Sequence, residues 1–208
     1  ITCRDWSSDV CSSDLLISSM YIETKNDWYF KRGLTNPIIS PNPENRWEAT
    51  ATFNPAAIYL KNKIHILYRT LSDDNTSFIG YASSLDGFTV SERLMDPIYF
   101  PREDFEMKKI NNGNSGCEDP RITQIGKNLY ICYTAYDSIG PPRVAISSIS
   151  VSDFLGHKWN WTKPDLITPP GFDDKDTCIF PEKLKEGYFA LHRVGNEICG
   201  DYLSSLDF

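Results

Sequence analysis

The sequence predicts an all-β protein that forms part of a β-propeller, and three observations lead to this prediction. A strand-rich unit recurs three times, opening at Phe53-Asn54-Pro55, Glu118-Asp119-Pro120 and Ile179-Phe180-Pro181. The prolines of these openings are 65 and 61 residues apart. No segment shows the long 3.6-residue periodicity of a helix. A repeat of this length that contains only strands is typical of propeller blades.

Each copy is expected to contain three strands. The first strand starts at the proline of the opening and ends at a short polar turn. These turns are Lys61-Asn62-Lys63, Gly126-Lys127-Asn128 and Lys185-Glu186-Gly187. An aromatic-rich second strand follows each turn, at residues 64–69, 129–133 and 188–193. The third strands end in serine-rich tails, at residues 81–86, 145–150 and 202–207.

The three copies run from about 53 to 110, from 116 to 165 and from 176 to the end of the chain. Three blades leave unpaired sheet edges and cannot close a ring. We therefore expect residues 16–208 to be a truncated propeller domain. Because blades arrange their first strands around one axis, polar residues at the openings should converge on one pocket.

Composition and the chain ends limit the classes of protein to be considered. Residues 1–15 resemble one reading frame of a sequencing adapter, and we predict that they are an artefact. The net charge of −7 argues against a nucleic-acid-binding protein. No apolar run is long enough to span a membrane, and the cysteines beyond residue 15 show no CxxC spacing. These features predict a cytoplasmic protein without nucleic-acid or membrane partners.

The sharpest local motif is Gly116-Cys117-Glu118-Asp119-Pro120-Arg121, in which two acids precede a proline. Pro120 restrains Asp119 to extended geometry, and neighbouring strand residues point to opposite faces. We therefore expect one acid to face the central pocket and the other to pack against the adjacent blade. A solvated turn with an aspartate cap explains this motif equally well.

Several cations recur at inner-strand positions of this net acidic chain. Arg69 ends the second strand of copy one, and His192 lies near the end of the second strand of copy three. Lys183 follows Pro181 by two residues, and Arg143 starts the third strand of copy two. Each alone is typical of a surface charge, but together they suit a bound phosphate. No metal-ligand spacing and no GxGxxG string appears.

Given these residues, the chain resembles the β-mannoside phosphorylases of glycoside hydrolase family 130. The similarity covers about residues 35–208, with several motifs in the family's order. Those motifs are Phe53 to Ala56, Leu67 to Arg69, Tyr81 to Gly87, Gly116 to Ile122, Phe180 to Lys183 and Leu191 to Arg193. The resemblance implies a five-bladed propeller whose central pocket binds a mannoside and inorganic phosphate, without a cofactor.

The resemblance also implies roles for single residues. Asp119 matches the family's general acid, and Asn54 and Arg69 match residues that line the glycone subsite. The residues similar to the family's phosphate-binding cations are Arg143, Lys183 and His192. We add three substrate-binding candidates at the openings of copies two and three: Glu118, Arg121 and Asp176. No metal ligand is predicted.

The reaction that the resemblance implies is the inverting phosphorolysis of a β-1,4- or β-1,2-linked mannoside to α-mannose 1-phosphate. An inverting hydrolase needs two carboxyl groups, whereas a phosphorylase replaces the activated water with phosphate, already an anion. One prominent acid opposite several cations fits the second scheme. The acceptor sugar, the linkage and any homo-oligomeric assembly of the parent protein stay open.

Two alternatives compete with this interpretation. The first is a hydrolase on the same scaffold, with Glu182 as the second carboxylate. The second is a non-catalytic carbohydrate-binding propeller, which predicts that Asp119 and the cations are scattered over the outside. The presence of Lys183 and His192 in this chain favours phosphorolysis over hydrolysis.

Overall fold

The structure is a computed structural model that describes residues 32–207. The chain divides into two units, residues 1–36 and 37–208, and the fold described below is that of the second. The predicted adapter segment, residues 1–15, lies outside the described residues. Helix in the described part is limited to a 3-10 turn at Arg46–Glu48 and to α1 at Val151–Leu155. The prediction of an almost entirely β structure is therefore confirmed.

Eleven strands are present in residues 32–207, and nine of them form three antiparallel repeats of three strands each. The first repeat contains β1 (Ala51–Leu60), β2 (Lys63–Leu71) and β3 (Thr76–Ser84), with the short β4 (Glu92–Arg93) beside β3. The second contains β5 (Ser115–Ile125), β6 (Asn128–Tyr136) and β7 (Arg143–Ser150), with β8 (Asp165–Leu166) beside β7. The third contains β9 (Asp174–Leu184), β10 (Gly187–Val194) and β11 (Glu197–Leu203).

The repeats are arranged in two sheets. A short parallel pairing of Thr76 with Ser115 and Ser77 with Gly116 joins β3 to β5, so the first two repeats share one eight-stranded sheet. The third repeat forms a separate three-stranded sheet in the order β11-β10-β9. The sheets of residues 32–207 do not close into a ring, so the number of blades stays a prediction.

The prolines do not start the first strands, and this part of the prediction is wrong. Pro55, Pro120 and Pro181 lie inside β1, β5 and β9, which begin several residues earlier. In β1 and β5 the proline belongs to a bulge, where the pairing register skips residues 54–55 and 119–120. β9 has two such skips, at residues 176–177 and at residues 180–182, and its proline lies in the second.

The hydrophobic core lies between the repeats. One buried cluster joins the first two repeats and includes Leu67, Ile79, Tyr81, Ile131 and Tyr133. A second cluster joins the two sheets, because it combines Cys132, Val144 and Ile146 with Ile179 and Ala190. Within residues 32–207, no helix has the length and apolar character that crossing a membrane requires.

Candidate active site

Three strand bulges present the polar residues of the site. Asn54, Asp119 and Asp176 occupy the first bulge positions of β1, β5 and β9, with φ of 45°, 50° and 60°. Asparagine and aspartate tolerate this left-handed backbone better than other non-glycine residues. Each bulge re-aims its side chain relative to the strand, as bulges near active sites commonly do.

Arg69 on β2 gathers the two acids of the second opening. Its Nη2 lies 2.7 Å from Glu118 Oε1, and its Nη1 lies 3.0 Å from Asp119 Oδ1. The Arg69 side chain is 12% exposed and each acid 14%. Both acids therefore contact Arg69 of the first repeat. The prediction that one acid faces the central pocket while the other packs against the adjacent blade is wrong. The left-handed bulge at Asp119 breaks the strand alternation on which that prediction depended.

The same guanidinium makes two further contacts, and Asp119 makes one. Its Nε donates to Ser77 Oγ at 3.0 Å, and its plane lies 4.6 Å from the centre of the Phe53 ring. Asn54 Nδ2 donates to Asp119 Oδ1 at 2.8 Å. Asp119 Oδ1 thus accepts two hydrogen bonds, whereas Oδ2 accepts none from residues 32–207. Oδ2 is therefore the oxygen of Asp119 that is left without a hydrogen bond among these residues.

Glu118 has a neutral form that is accessible near physiological pH. Burial raises the pKa of Glu118 to about 7, although the positive charge of Arg69 lowers it. The negative charges of Asp119 and Asp176 raise the pKa further, and that of Lys175 lowers it. Burial, more than the neighbouring acids, therefore keeps the neutral form of Glu118 accessible.

Lys175 is a cation of the site that the sequence analysis missed. It is half-buried at the β9 bulge, pairs in register with Arg193 and acts on Glu118. Within the described residues it forms no ion pair within 4.0 Å. Aligning the third copy on its bulge at Asp176, instead of on Pro181, would have identified Lys175 as the neighbour of the site.

His192 and Arg143 are linked through two intervening residues. His192 Nδ1 lies 2.9 Å from Asp174 Oδ1, and Nε2 lies 2.9 Å from Asp201 Oδ2. Thr168 Oγ1 donates to Asp174 Oδ2 at 2.8 Å. Arg143 donates to the carbonyl oxygen of Thr168 from Nε at 3.1 Å and from Nη2 at 2.6 Å. Two predicted phosphate-binding residues are therefore brought into one network.

Lys183 and Arg121 lie apart from these contacts. Lys183 is exposed and pairs with Tyr188, four residues along β10 from His192, which is roughly 13 Å at strand spacing. Its Nζ lies 5.6 Å from the centre of the Tyr188 ring. Arg121 donates to the carbonyl oxygen of Pro120 at 3.2 Å, and among the described residues no ion pair joins it to Glu118 or Asp119.

Asp176 is held by the third repeat. Arg193 Nε donates to Asp176 Oδ2 at 2.8 Å, and Arg193 Nη1 donates to the carbonyl oxygen of Gly195 at 2.9 Å. Asp176 occupies the bulge position in β9 that Asn54 occupies in β1, and Arg193 lies on the neighbouring strand β10. Arg193, which the sequence analysis left without a role, therefore orients Asp176.

A buried acid supports the second-strand residue that lies opposite each bulge. The residue opposite the bulge is Tyr68, Tyr133 and His192 in the three repeats. Their polar atoms bond to the buried carboxylates of Glu48, Glu106 and Asp174 respectively. This repeated contact is not visible in the sequence, because the three acids occupy different positions relative to their strands.

The all-β fold is consistent with a class of glycoside hydrolases. The chain belongs to glycoside hydrolase family 130, because the family profile, described as β-1,4-mannooligosaccharide phosphorylase, matches residues 23–204. The family resemblance seen in the motifs is thereby confirmed.

Known proteins similar to this chain include two from Thermoanaerobacter sp. (strain X514). A 1,2-β-oligomannan phosphorylase is 30% identical over 170 residues, which are 78% of this chain and 53% of that protein. A β-1,2-mannobiose phosphorylase is 32% identical over 173 residues, which are 76% of this chain and 52% of that protein. The chain thus spans about half the length of these curated relatives.

A solved glycosyl hydrolase from Bacteroides ovatus has a similar fold. The superposition has a TM-score of 0.61 at 26% identity and covers 84% of this chain and 53% of that one. Within residues 32–207, no group of three or more histidine, cysteine, aspartate and glutamate side chains is placed to hold a metal ion. The site is therefore described by its carboxyl groups and cations.

Proposed function

We propose that the complete protein carrying this chain cleaves a β-mannoside with inorganic phosphate and releases α-mannose 1-phosphate with inversion. The observation that supports this most is the pairing of Glu118 and Asp119 with Arg69 beside a set of further cations. The activities of the two relatives from Thermoanaerobacter point the same way. β-1,2-linked mannobiose is therefore the first substrate to test, and β-1,4-linked mannobiose the second.

In the proposed reaction Asp119 is the general acid. A phosphate oxygen forms a bond to the anomeric carbon from the face opposite the leaving group, and the glycosidic carbon–oxygen bond breaks with its electron pair on the leaving oxygen. The proton of Asp119 Oδ2 reaches that oxygen through a sugar hydroxyl. Asp119 becomes a carboxylate, which Arg69 and Asn54 stabilise through Oδ1.

The remaining residues divide between the two substrates. Arg69, Asn54, Glu118 and Asp176 are proposed to line the sugar subsite, since the bulges bring them together. The proposed phosphate-binding residues are Arg143, His192 and Lys175. Arg121 and Lys183 stay predictions that the contacts of the site do not support.

The test is a product assay on the complete protein with and without phosphate. We expect mannose 1-phosphate to form when phosphate is present and almost no product when it is absent. Release of free mannose at the same rate without phosphate would instead establish the hydrolase. Binding of mannobiose without any turnover would establish the non-catalytic alternative.

A further inference from the structure

A buried polar bridge connects β7, the loop after β8 and β9. Thr168 is 3% exposed and Asp174 5%, and Thr168 Oγ1 donates to Asp174 Oδ2 at 2.8 Å. The same hydroxyl accepts the backbone N–H of Val144 at 3.0 Å. Arg143 precedes Val144 and donates to the carbonyl oxygen of Thr168. One threonine therefore contacts both the arginine and the acid that holds His192.

The contacts of His192 suit a charged ring. Each ring nitrogen lies 2.9 Å from a carboxylate oxygen, one of Asp174 and one of Asp201. Ionised carboxylates only accept hydrogen bonds, so both nitrogens must donate. Burial opposes this charge, but the two aspartates outweigh burial and raise the pKa of His192. Cys199, which is opposite His192 in register, is the neighbouring thiol on β11.

The two partners of His192 differ in exposure. The side chain of Asp174 is 8% exposed, whereas that of Asp201 is 77% exposed. Nδ1 is thus fixed from inside the protein, and Nε2 points towards a partner in solvent. A dissolved anion can replace Asp201 at Nε2 but cannot replace Asp174 at Nδ1.

The position of His192 is occupied by a different type of residue in the other two repeats. Tyr68 and Tyr133 occupy the position of His192, are 2% exposed and bond to buried acids. They are uncharged anchors. The third repeat keeps the buried acid but places a cation on it, and the side chain of that cation is 13% exposed. The acid that packs a tyrosine elsewhere therefore charges and orients a histidine here.

Arg143 is oriented by the same bridge. Its Nε and Nη2 both donate to Thr168, so Nη1 is left without a partner among residues 32–207. A cavity of about 200 Å³ lies beside Arg143, between Asp137 and Gly171. That is several times the roughly 30 Å³ that a water molecule occupies in the liquid.

We propose that Asp174 and Thr168 are positioning residues that hold His192 and Arg143 as one preorganised binding unit for a tetrahedral oxyanion. The identity of that anion as the inorganic phosphate co-substrate rests on the function proposed above. Neither positioning residue touches the substrate, and both act through the two cations. Preorganisation of donors in this way strengthens their effect on a bound anion.

The test uses the complete protein with Asp174→Asn, Thr168→Val and the conservative Thr168→Ser. Asp174→Asn keeps the shape and removes the charge that stabilises imidazolium, and Thr168→Val removes the hydroxyl. We expect each to raise KM for phosphate about tenfold and to change KM for the mannoside by less than twofold. Thr168→Ser should restore the wild-type value, and the exposed Asp173→Asn is the matched control.

A second measurement is independent of phosphate. Selective ¹⁵N labelling of histidine reports the charge state of His192 near pH 7, with assignment by His192→Gln. We expect imidazolium shifts in the wild type and neutral shifts in Asp174→Asn. An unchanged ring in Asp174→Asn, or an equal rise of both KM values, would overturn the inference. If the wild type does not use phosphate, the proposed function fails, and the ¹⁵N shifts alone then decide whether Asp174 positions His192.

Discussion

Asp119 combines the carboxyl group that we propose as the general acid with a left-handed backbone, and both properties limit what can replace it. Its φ of 50° is one that asparagine tolerates and that most other residues adopt only with strain. Its Oδ1 accepts from Arg69 and Asn54. An asparagine at this position can keep those contacts and the backbone, while losing the acidic proton.

Asp119→Asn therefore tests the chemistry without disturbing the fold. We expect kcat to fall by about 10² to 10⁴, the usual contribution of a general acid, and the melting temperature to stay within about 2 °C of the wild type. The matched control is Asp165→Asn, an exposed aspartate on β8. Near-normal turnover in Asp119→Asn would show that another group donates the proton.

Glu118 makes the stability of the fold depend on pH. Burial raises its pKa from 4.5 to about 7 in the folded chain, so the folded state binds the proton more tightly than the unfolded state does. This contribution to stability is complete below about pH 4.5 and is lost as the pH rises through 7. Glu118→Gln cannot lose a proton and should not show this loss.

We expect the free energy of unfolding of the wild type to fall relative to Glu118→Gln between about pH 5 and 7. The slope should reach about 1.4 kcal/mol per pH unit, as measured by urea unfolding. Glu182→Gln, at an exposed position of β9, should follow the wild type. Parallel pH profiles for the wild type and Glu118→Gln would contradict the assignment.

Substitution of the two lysines of β9 should affect phosphate use differently. Lys175 is half-buried next to the site, and Lys183 is exposed near the turn that joins β9 to β10. We expect Lys175→Ala to raise KM for phosphate about tenfold and Lys183→Ala to change it by less than twofold, in steady-state assays of the complete protein. The reverse order would restore Lys183 as the phosphate-binding lysine.

At the scale of elements, the bulges explain why sequence analysis located only part of the site. The alternation of strand side chains and the proline openings predicted the strands, and those strands form. All three prolines lie where the pairing register shifts, but in β9 the residue with left-handed φ, Asp176, lies at a separate shift. In the third repeat Thr177 follows Asp176 where the others have proline, so a proline pattern selects Pro181 instead. The three bulge positions share a left-handed φ, which is a property of the backbone. The presence of Asn or Asp in a sequence indicates such a φ only weakly.

The junction between β3 and β5 depends on a glycine. Gly116 has a φ of 111°, and a Cβ atom added to it would clash with the backbone oxygen of Ser77. We expect Gly116→Ala to destabilise the chain by about 2 to 4 kcal/mol through strain and the clash, measured by urea unfolding. Gly140→Ala is the control, because nothing lies within 4 Å of its added Cβ. Equal stability of the two variants would show that this junction adapts.

At the scale of the whole molecule, the two sheets depend on one shared cluster. Ile179 of β9 is 4% exposed and packs with Cys132 and Ile146 of the eight-stranded sheet. The sequence predicted the repeats but not this partition, because pairing between repeats is set by a two-residue parallel contact at residues 76–77 and 115–116. Such a short contact leaves no periodic pattern.

Ile179→Ala should weaken the attachment of the three-stranded sheet. We expect a loss of about 2 to 5 kcal/mol in the free energy of unfolding, with hydrogen exchange in β9 to β11 rising before that in β5 to β7. Ile198→Ala, at a position 70% exposed on β11, should have almost no effect. A uniform rise in exchange over both sheets would show that they unfold as one unit.

The repeated buried acid has an evolutionary consequence. Glu48, Glu106 and Asp174 each support the residue opposite a bulge, and that residue is tyrosine in two repeats and histidine in the third. The codons of tyrosine and histidine differ by one base. A duplicated module that already contains a buried carboxyl group can therefore acquire a histidine paired with an acid in a single mutational step, and the ancestral fold needs no rebuilding for a new ligand.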